Sequence, residues 1–192
     1  MEPAIRKEIK KETTKPKKRM YENDERVIWF KSNKGNGYAW LSNFWPDVSQ
    51  KSIPREIQNE GVSPFILDEK PFKSVEHYFH ASKYKNDPVA FEDIRSQPTA
   101  VDAKKRNTFY KKKYPIDIGA WNENRDSEMK RALFAKFSQN KALKKGLLGT
   151  GTKRLFEVPG RGRDRYWQGG VGGGNHLGIL LEQVRDQIRQ VQ

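Results

Sequence analysis

Between residue 74 and the last residues of the chain, large apolar side chains recur every three to four positions, and that period sets the fold class. The cleanest case starts at Asn175, where Leu177, Leu180, Leu181, Val184, Ile188 and Val191 make one stripe of an amphipathic helix. Arg185 and Arg189 lie near its end, where the helix dipole favours cations. Met129, Ala132, Leu133 and Phe137 repeat the pattern in a helix that Asp126 can cap. Ser74, Pro88 and Thr99 are start signals for three more helices, and a short one over 141–148 ends at Gly149 and Gly151. Strand-like runs are few and short: VIWF (27–30), FILDE (65–69, with a turn at Lys70–Pro71) and RLFEV (154–158). Residues 46–64 are polar, hold three prolines and read as a long surface loop. The expected architecture is a helix-rich α+β single domain over residues 25–192 with a small β element.

Residues 1–24 carry few large apolar side chains and much charge, the composition of a disordered basic tail. Its first twenty residues hold eight Lys and Arg against three Glu, a net +5. The whole chain is at +14, so +9 belongs to the rest. That excess points to phosphorylated or polyanionic partners, nucleic acid among them; a merely soluble basic surface is the alternative. The chain has no Cys, which excludes disulfides, thiolate nucleophiles and Cys-ligated metal centres. No apolar run approaches the roughly 18 residues of a membrane span, and the first residues lack the apolar centre of a secretory signal. An intracellular, cytoplasmic protein with no membrane association is expected, with KPKKR (15–19) resembling a nuclear-import signal.

The stretch SVEHYFHASKY (74–84) concentrates the chemistry. On a helical wheel Val75, Tyr78, Phe79 and Ser82 form a buried stripe, with Glu76 and Lys83 on one flank separated by about 10 Å of rise. That gap suits a ribose phosphate held between carboxylate and ammonium. A solvated Glu76–His80 pair is the plainer alternative. His77 and His80 stand three apart, whereas the helical zinc motif needs two His four apart with Glu between. No metal site is expected.

At this point a resemblance enters. SVEHYFHASKY resembles the T/S-x-EHYFQAQKF block of the NADAR (YbiA-like) family. LSNF (41–44) resembles its FSNF, and Trp121 with MKRALFAKFSQN (129–140) its W…MxxALxxKFxQN. LLGTGTKRLFEV (147–158) is similar to LLxTGxxxLxE, while Asp164–Trp167 and GGGNHLGILLEQVR (172–185) resemble the closing D-x-x-W-G…G-x-N-x-LG. His80 stands where the family usually has Gln, and Gln168 where Gly usually follows the Trp. The resemblance implies hydrolysis of an N-glycosidic bond. Members act on phosphoribosylated pyrimidine intermediates of riboflavin synthesis or remove ADP-ribose from modified guanine.

Such a reaction passes through an oxocarbenium-like sugar. The resemblance then implies a catalytic Glu76 facing C1′ or activating water, Asp164 as second carboxylate and Trp121 as a stacking platform. Core packing is the alternative for Trp121, and for Trp167 it is equally open. Asn43 and Phe44 of the LSNF turn are candidates to contact substrate. Lys83, Arg106 and Lys136 are candidates for its phosphate. Gly174 and Asn175, closing GGVGGGN, could offer backbone N–H groups to the same phosphate; a flexible loop is the alternative. Arg161, Arg163 and Arg165 could track a nucleic-acid backbone. No cofactor is implied. A non-catalytic nucleotide or nucleic-acid binding module is the competing reading, and a tail-driven interaction protein a third.

Overall fold

The computed structural model describes residues 24–32, 37–48, 52–159, 164–169 and 172–191. Residues 1–23 of the basic tail, KPKKR among them, lie outside the described residues, as do Arg161 and Arg163. Strand β1 (Val27–Phe30) pairs in parallel with β4 (Arg154–Glu157), Val27 opposite Arg154 and Phe30 opposite Glu157. A separate antiparallel hairpin joins β2 (Phe65–Leu67) to β3 (Lys70–Phe72). Its turn lies at Asp68 and Glu69, both at positive φ, two residues before the expected Lys70–Pro71. The polar 46–64 segment is not all loop, because α1 (Arg55–Glu60) folds within it and buries Ile57.

Six longer helices follow. The first, α2 (Val75–Ala81), starts at Ser74, whose hydroxyl accepts from the His77 N–H as a helix N-cap does. A 3₁₀ turn continues it over Ser82–Tyr84. Helix α3 (Pro88–Arg95) has Pro in its first turn, and α4 (Ala100–Lys113) is capped by Thr99. Helix α5 spans Ile118–Gln139 and is capped by Asp117. It begins eight residues before the expected Asp126 boundary, so Asp126 sits mid-helix. Helix α6 (Lys141–Gly149) is capped by Asn140, and α7 (His176–Gln190) closes the fold.

Every residue of α2 is buried, unlike the amphipathic helix its sequence suggests. It is enclosed because α3, α4 and α5 all pack on it. The apolar faces of α5 and α7 are where the period put them: Met129, Ala132, Leu133 and Phe137 are buried, as are Leu177, Leu180, Leu181, Val184 and Ile188. Val191 is exposed, since α7 ends one residue earlier. Helix α7 packs on both α5 and β4. Gly178 makes this possible, since a Cβ there would overlap the Leu155 carbonyl oxygen. No helix among the described residues is long and apolar enough to cross a membrane.

Candidate active site

One face of α2 and one face of α5 border a cavity of about 250 Å³. From α2 and its 3₁₀ extension come Glu76, Phe79, His80 and Lys83. From α5 come Trp121, Arg125 and Met129, spaced four apart on one face. Asn43 and Phe44 close one side, Lys104 of α4 another. Glu157, at the end of β4, enters together with Asp164, Trp167 and Gln168.

Glu76 is buried and its carboxylate meets His80 Nε2 at 2.9 Å and Lys104 Nζ at 3.9 Å. Its backbone N–H donates to the Asn43 carbonyl, which fixes the LSNF turn against α2. Burial acts to raise the Glu76 pKa, but His80, Lys104 and Lys83 together outweigh it and hold the carboxyl below its usual range. His80 goes the other way: burial lowers its pKa against the pull of Glu76, so the ring is neutral. Lys83 Nζ lies 3.0 Å from His80 Nδ1. An ammonium only donates, so Nδ1 accepts from Lys83 and Nε2–H donates to Glu76. The gap expected between Glu76 and Lys83 is therefore filled by an imidazole that relays a hydrogen bond between them. A Gln side chain can do the same with its carbonyl and amide.

Lys83 also lies 4.9 Å from the Phe79 ring centre and 5.3 Å from that of Trp121, a cation–π setting. Burial lowers its pKa to about 8. Phe79 touches both Trp121 and Trp167, at 5.1 and 5.3 Å between ring centres. The two tryptophans thus combine packing with cavity lining, so neither of the alternatives read from sequence excludes the other.

Two buried polar atoms on lining residues lack a hydrogen-bond partner: Asn43 Oδ1 and Arg125 Nε. One accepts and one donates, and leaving such groups unpaired is costly unless a ligand or solvent satisfies them. The Arg125 guanidinium also stacks 3.3 Å from the Tyr166 ring centre. Tyr166 and His176 are both anchored to Asp126, at 2.7 and 3.0 Å. So Asp126, expected as a helix cap, instead ties the Asp164–Trp167 turn to α5. Asp164 Oδ1 accepts from the Trp167 N–H.

Four of the sequence candidates lie elsewhere. Lys136 is buried with its ammonium donating to the carbonyls of Trp40 (2.7 Å) and Ser42 (2.9 Å), and burial drives its pKa far down. It holds up the turn that presents Asn43 rather than reaching a phosphate. Arg106 binds Asp93 of α3; two residues away, on another side of α4, Lys104 is the cation that reaches the cavity. Gly174 and Asn175 do not offer free N–H groups. They donate to the carbonyls of Arg165 and Gln168, while His176 and Leu177 donate to those of Tyr166 and Trp167. Asn175 is instead a linchpin, its amide donating to the Leu155 carbonyl and its Oδ1 accepting from the Glu157 N–H. The start of α7 serves the fold.

Glu157 and Arg125 were not among the candidates. Glu157 is half-buried, and burial with the nearby Glu76 and Asp164 carboxylates pushes its pKa up to about 8, Lys104 opposing. A second cavity of about 480 Å³ adjoins the first, sharing Lys83 and Trp121 and reaching Tyr114 and Glu128.

Comparison with known proteins bears on the family and the fold. Residues 29–189 match the NADAR domain family. N-glycosidase YbiA of Shigella boydii serotype 4 (strain Sb227) is 34% identical over 137 residues, covering 69% of this chain and 81% of that protein. N-glycosidase YbiA of Escherichia coli (strain K12) is 33% identical over 135 residues with the same coverage. The NMR structure of the E. coli protein YbiA superposes with a TM-score of 0.63 at 26% identity, covering 87% of this chain and 90% of that one.

Proposed function

The chain belongs to the NADAR domain family, a glycosidase-type family by its N-glycosidase relatives, and from that premise we propose that it hydrolyses the N-glycosidic bond between a phosphorylated ribose and a nitrogenous base. One observation carries the reading: a buried, ionised carboxylate, Glu76, lines a small cavity and is fixed there by His80. Breaking C1′–N leaves positive charge on the sugar, and a preorganised carboxylate in a site sheltered from water stabilises such charge as it develops. Water adds at C1′, and Glu76 or Asp164 accepts its proton. Trp121 and Trp167 bracket a ring, and Asn43 Oδ1 accepts from a sugar hydroxyl or a base N–H. Arg125 and Lys83 face the phosphate end.

The cavities bear on substrate size. About 250 Å³ is at the small end for a ligand site and suits a ribosyl phosphate with part of its base. An ADP-ribosyl group would extend past Lys83 and Trp121 into the adjoining 480 Å³. The cationic surface of α4 favours a modified base carried on nucleic acid, such as ADP-ribosylated guanine, over a free phosphoribosylamino-pyrimidine. A plain anion-binding module is disfavoured because the ionised Glu76 carboxylate lines the same cavity as the cations and would repel its ligand.

The test is release of ribose phosphate or ADP-ribose, followed by mass spectrometry, from one substrate of each class. Native protein is expected to release product from at least one. Glu76→Gln is expected to lose 10²–10⁴-fold in rate, about 3–5 kcal/mol of barrier, with binding retained. Equal binding and no turnover by either protein would instead identify a binding module.

A further inference from the structure

The glycosidase reading accounts for charge and water at C1′ but leaves the departing nitrogen without a proton donor. The base must leave either as an unstable anion or protonated, and a positioned acid resolves this. The lining groups differ in their fitness for the task. Glu76 is ionised and held by His80 and Lys104. His80 is neutral, its Nε2 proton committed to Glu76. Lys83 and Arg125 are cations; Arg125 does not release a proton in a protein, and Lys83 spends its donors on His80 and the aromatic rings.

Glu157 is set differently. Its backbone is immobilised on three sides: it pairs with Phe30 in the sheet, its N–H donates to Asn175 Oδ1, and its carbonyl accepts from Gly169. Its side chain lines the cavity, and among the described residues no hydrogen bond or ion pair ties its carboxyl. Its charged neighbours among the described residues are Glu76 on α2, Asp164 on the turn before α7, and Lys104 on α4 as the opposing cation. Burial and the two neighbouring acids favour the protonated form of this carboxyl, while Glu76 is held ionised, and two acids driven apart in this way take complementary roles.

Resting on the N-glycosidase reading, we infer that Glu157 is the general acid of the reaction: a rigidly held carboxyl on β4 that protonates the leaving base while Glu76 serves the sugar. The C1′–N bond breaks with its electron pair going to the base, and the Glu157 O–H proton goes to that nitrogen. Water forms the new C1′–O bond and gives its proton to Glu76 or Asp164. Products are the free sugar and the neutral base. The proton gained on the sugar side returns to Glu157 through solvent, favoured by repulsion among the carboxylates. Near neutral pH a protonated Glu and a Gln are close in shape and charge, so Glu157→Gln removes the transferable proton and little else.

The experiment compares Glu157→Gln with native protein on two forms of whichever N-glycoside native protein cleaves. One carries the ordinary base; the other carries the same base N-alkylated, which is cationic while attached, leaves neutral and needs no proton. The expected result is a 10²–10⁴-fold fall in kcat on the ordinary base with KM within about threefold, and a near-native rate on the alkylated one. Lys83 titrates in the same range as Glu157, so an alkaline limb in the pH profile would not separate them. Infrared spectroscopy does: a protonated-carboxyl band at neutral pH is expected in native protein, lost above pH 8 and absent from Glu157→Gln. Equal losses on both substrates, no loss on the ordinary base, or no such band would overturn the assignment. No product from either substrate with native protein would instead overturn the N-glycosidase reading beneath it.

Discussion

His80 shows how one side chain sets the state of several others. Its ring accepts from Lys83 and donates to Glu76, so the carboxylate is oriented by a group that must stay neutral. Burial lowers the His80 pKa below its ordinary 6.5. Below pH 6.5 the unfolded chain takes up a proton that the folded chain refuses, and stability is lost as pH falls. His77 adds to this with the same sign, buried between Ser74 Oγ and the Gln97 carbonyl. The variant His80→Gln keeps both hydrogen bonds and removes one titration. We expect activity within a few-fold of native and a smaller fall in melting temperature between pH 7 and pH 5.5. Loss of activity comparable to Glu76→Gln would show that the ring does more than orient. Glu76, His80 and Lys83 were legible as a cluster because they share one short helix. Their relay was not, since helical spacing gives Cβ positions and says nothing of which tautomer bridges them. Glu157 was legible in part. Strand alternation puts it on the same side as buried Leu155, and the LxE of the resemblance ends on it, yet nothing in RLFEV reveals that its neighbours are acids.

At the level of elements, the helical faces were read well where burial was one-sided and poorly where it was not. Helix α2 reads as amphipathic because its polar residues are Glu and His, but α3, α4 and α5 enclose it and turn its polar side into a site. Arg125 was missed because α5 starts at Ile118 rather than after Asp126, which hid its register with Trp121 and Met129. The charge run Lys104–Lys105–Arg106 does not declare which member faces inward, and it is Lys104 that reaches the cavity. The glycines before α7 suggested an anion site; their neighbours' N–H groups are instead taken by the carbonyls of 165–168. The same region makes a specific demand at Gly178, where any Cβ collides with the Leu155 carbonyl and approaches the Asn175 amide. Gly178→Ala is expected to destabilise by about 1–3 kcal/mol through overpacking. A lower denaturation midpoint at unchanged slope checks it. Because β4 must shift to make room, Glu157 moves with it, and activity should fall more than the folded fraction does.

Across the whole molecule the charge is uneven. Helix α4 exposes Lys104, Lys105, Lys111, Lys112 and Lys113 beside Phe109 and Tyr114, themselves 47% and 44% exposed. Lys104 links this surface to the cavity, and aromatic rings among cations are the recurrent platform for single-stranded nucleic acid. If the modified base is presented on a strand, Lys112→Gln with Lys113→Gln should weaken binding to an oligonucleotide and flatten its salt dependence by about 0.7 per lost contact. Turnover of a small free substrate should be unchanged. An unaltered salt slope would remove α4 from the binding path. The parallel pairing of β1 with β4 has a consequence in time. Val27 and Arg154 are partners although 127 positions separate them, 154 less 27. Closing a loop of that length costs about 4 kcal/mol in chain entropy, and contacts so distant slow folding. During synthesis the first strand must wait, unpaired, until nearly the whole domain has emerged. The strand it waits for carries Glu157, so the helices before it can enclose Glu76 before the acid arrives, and the chemistry is completed only after most of the chain has been made.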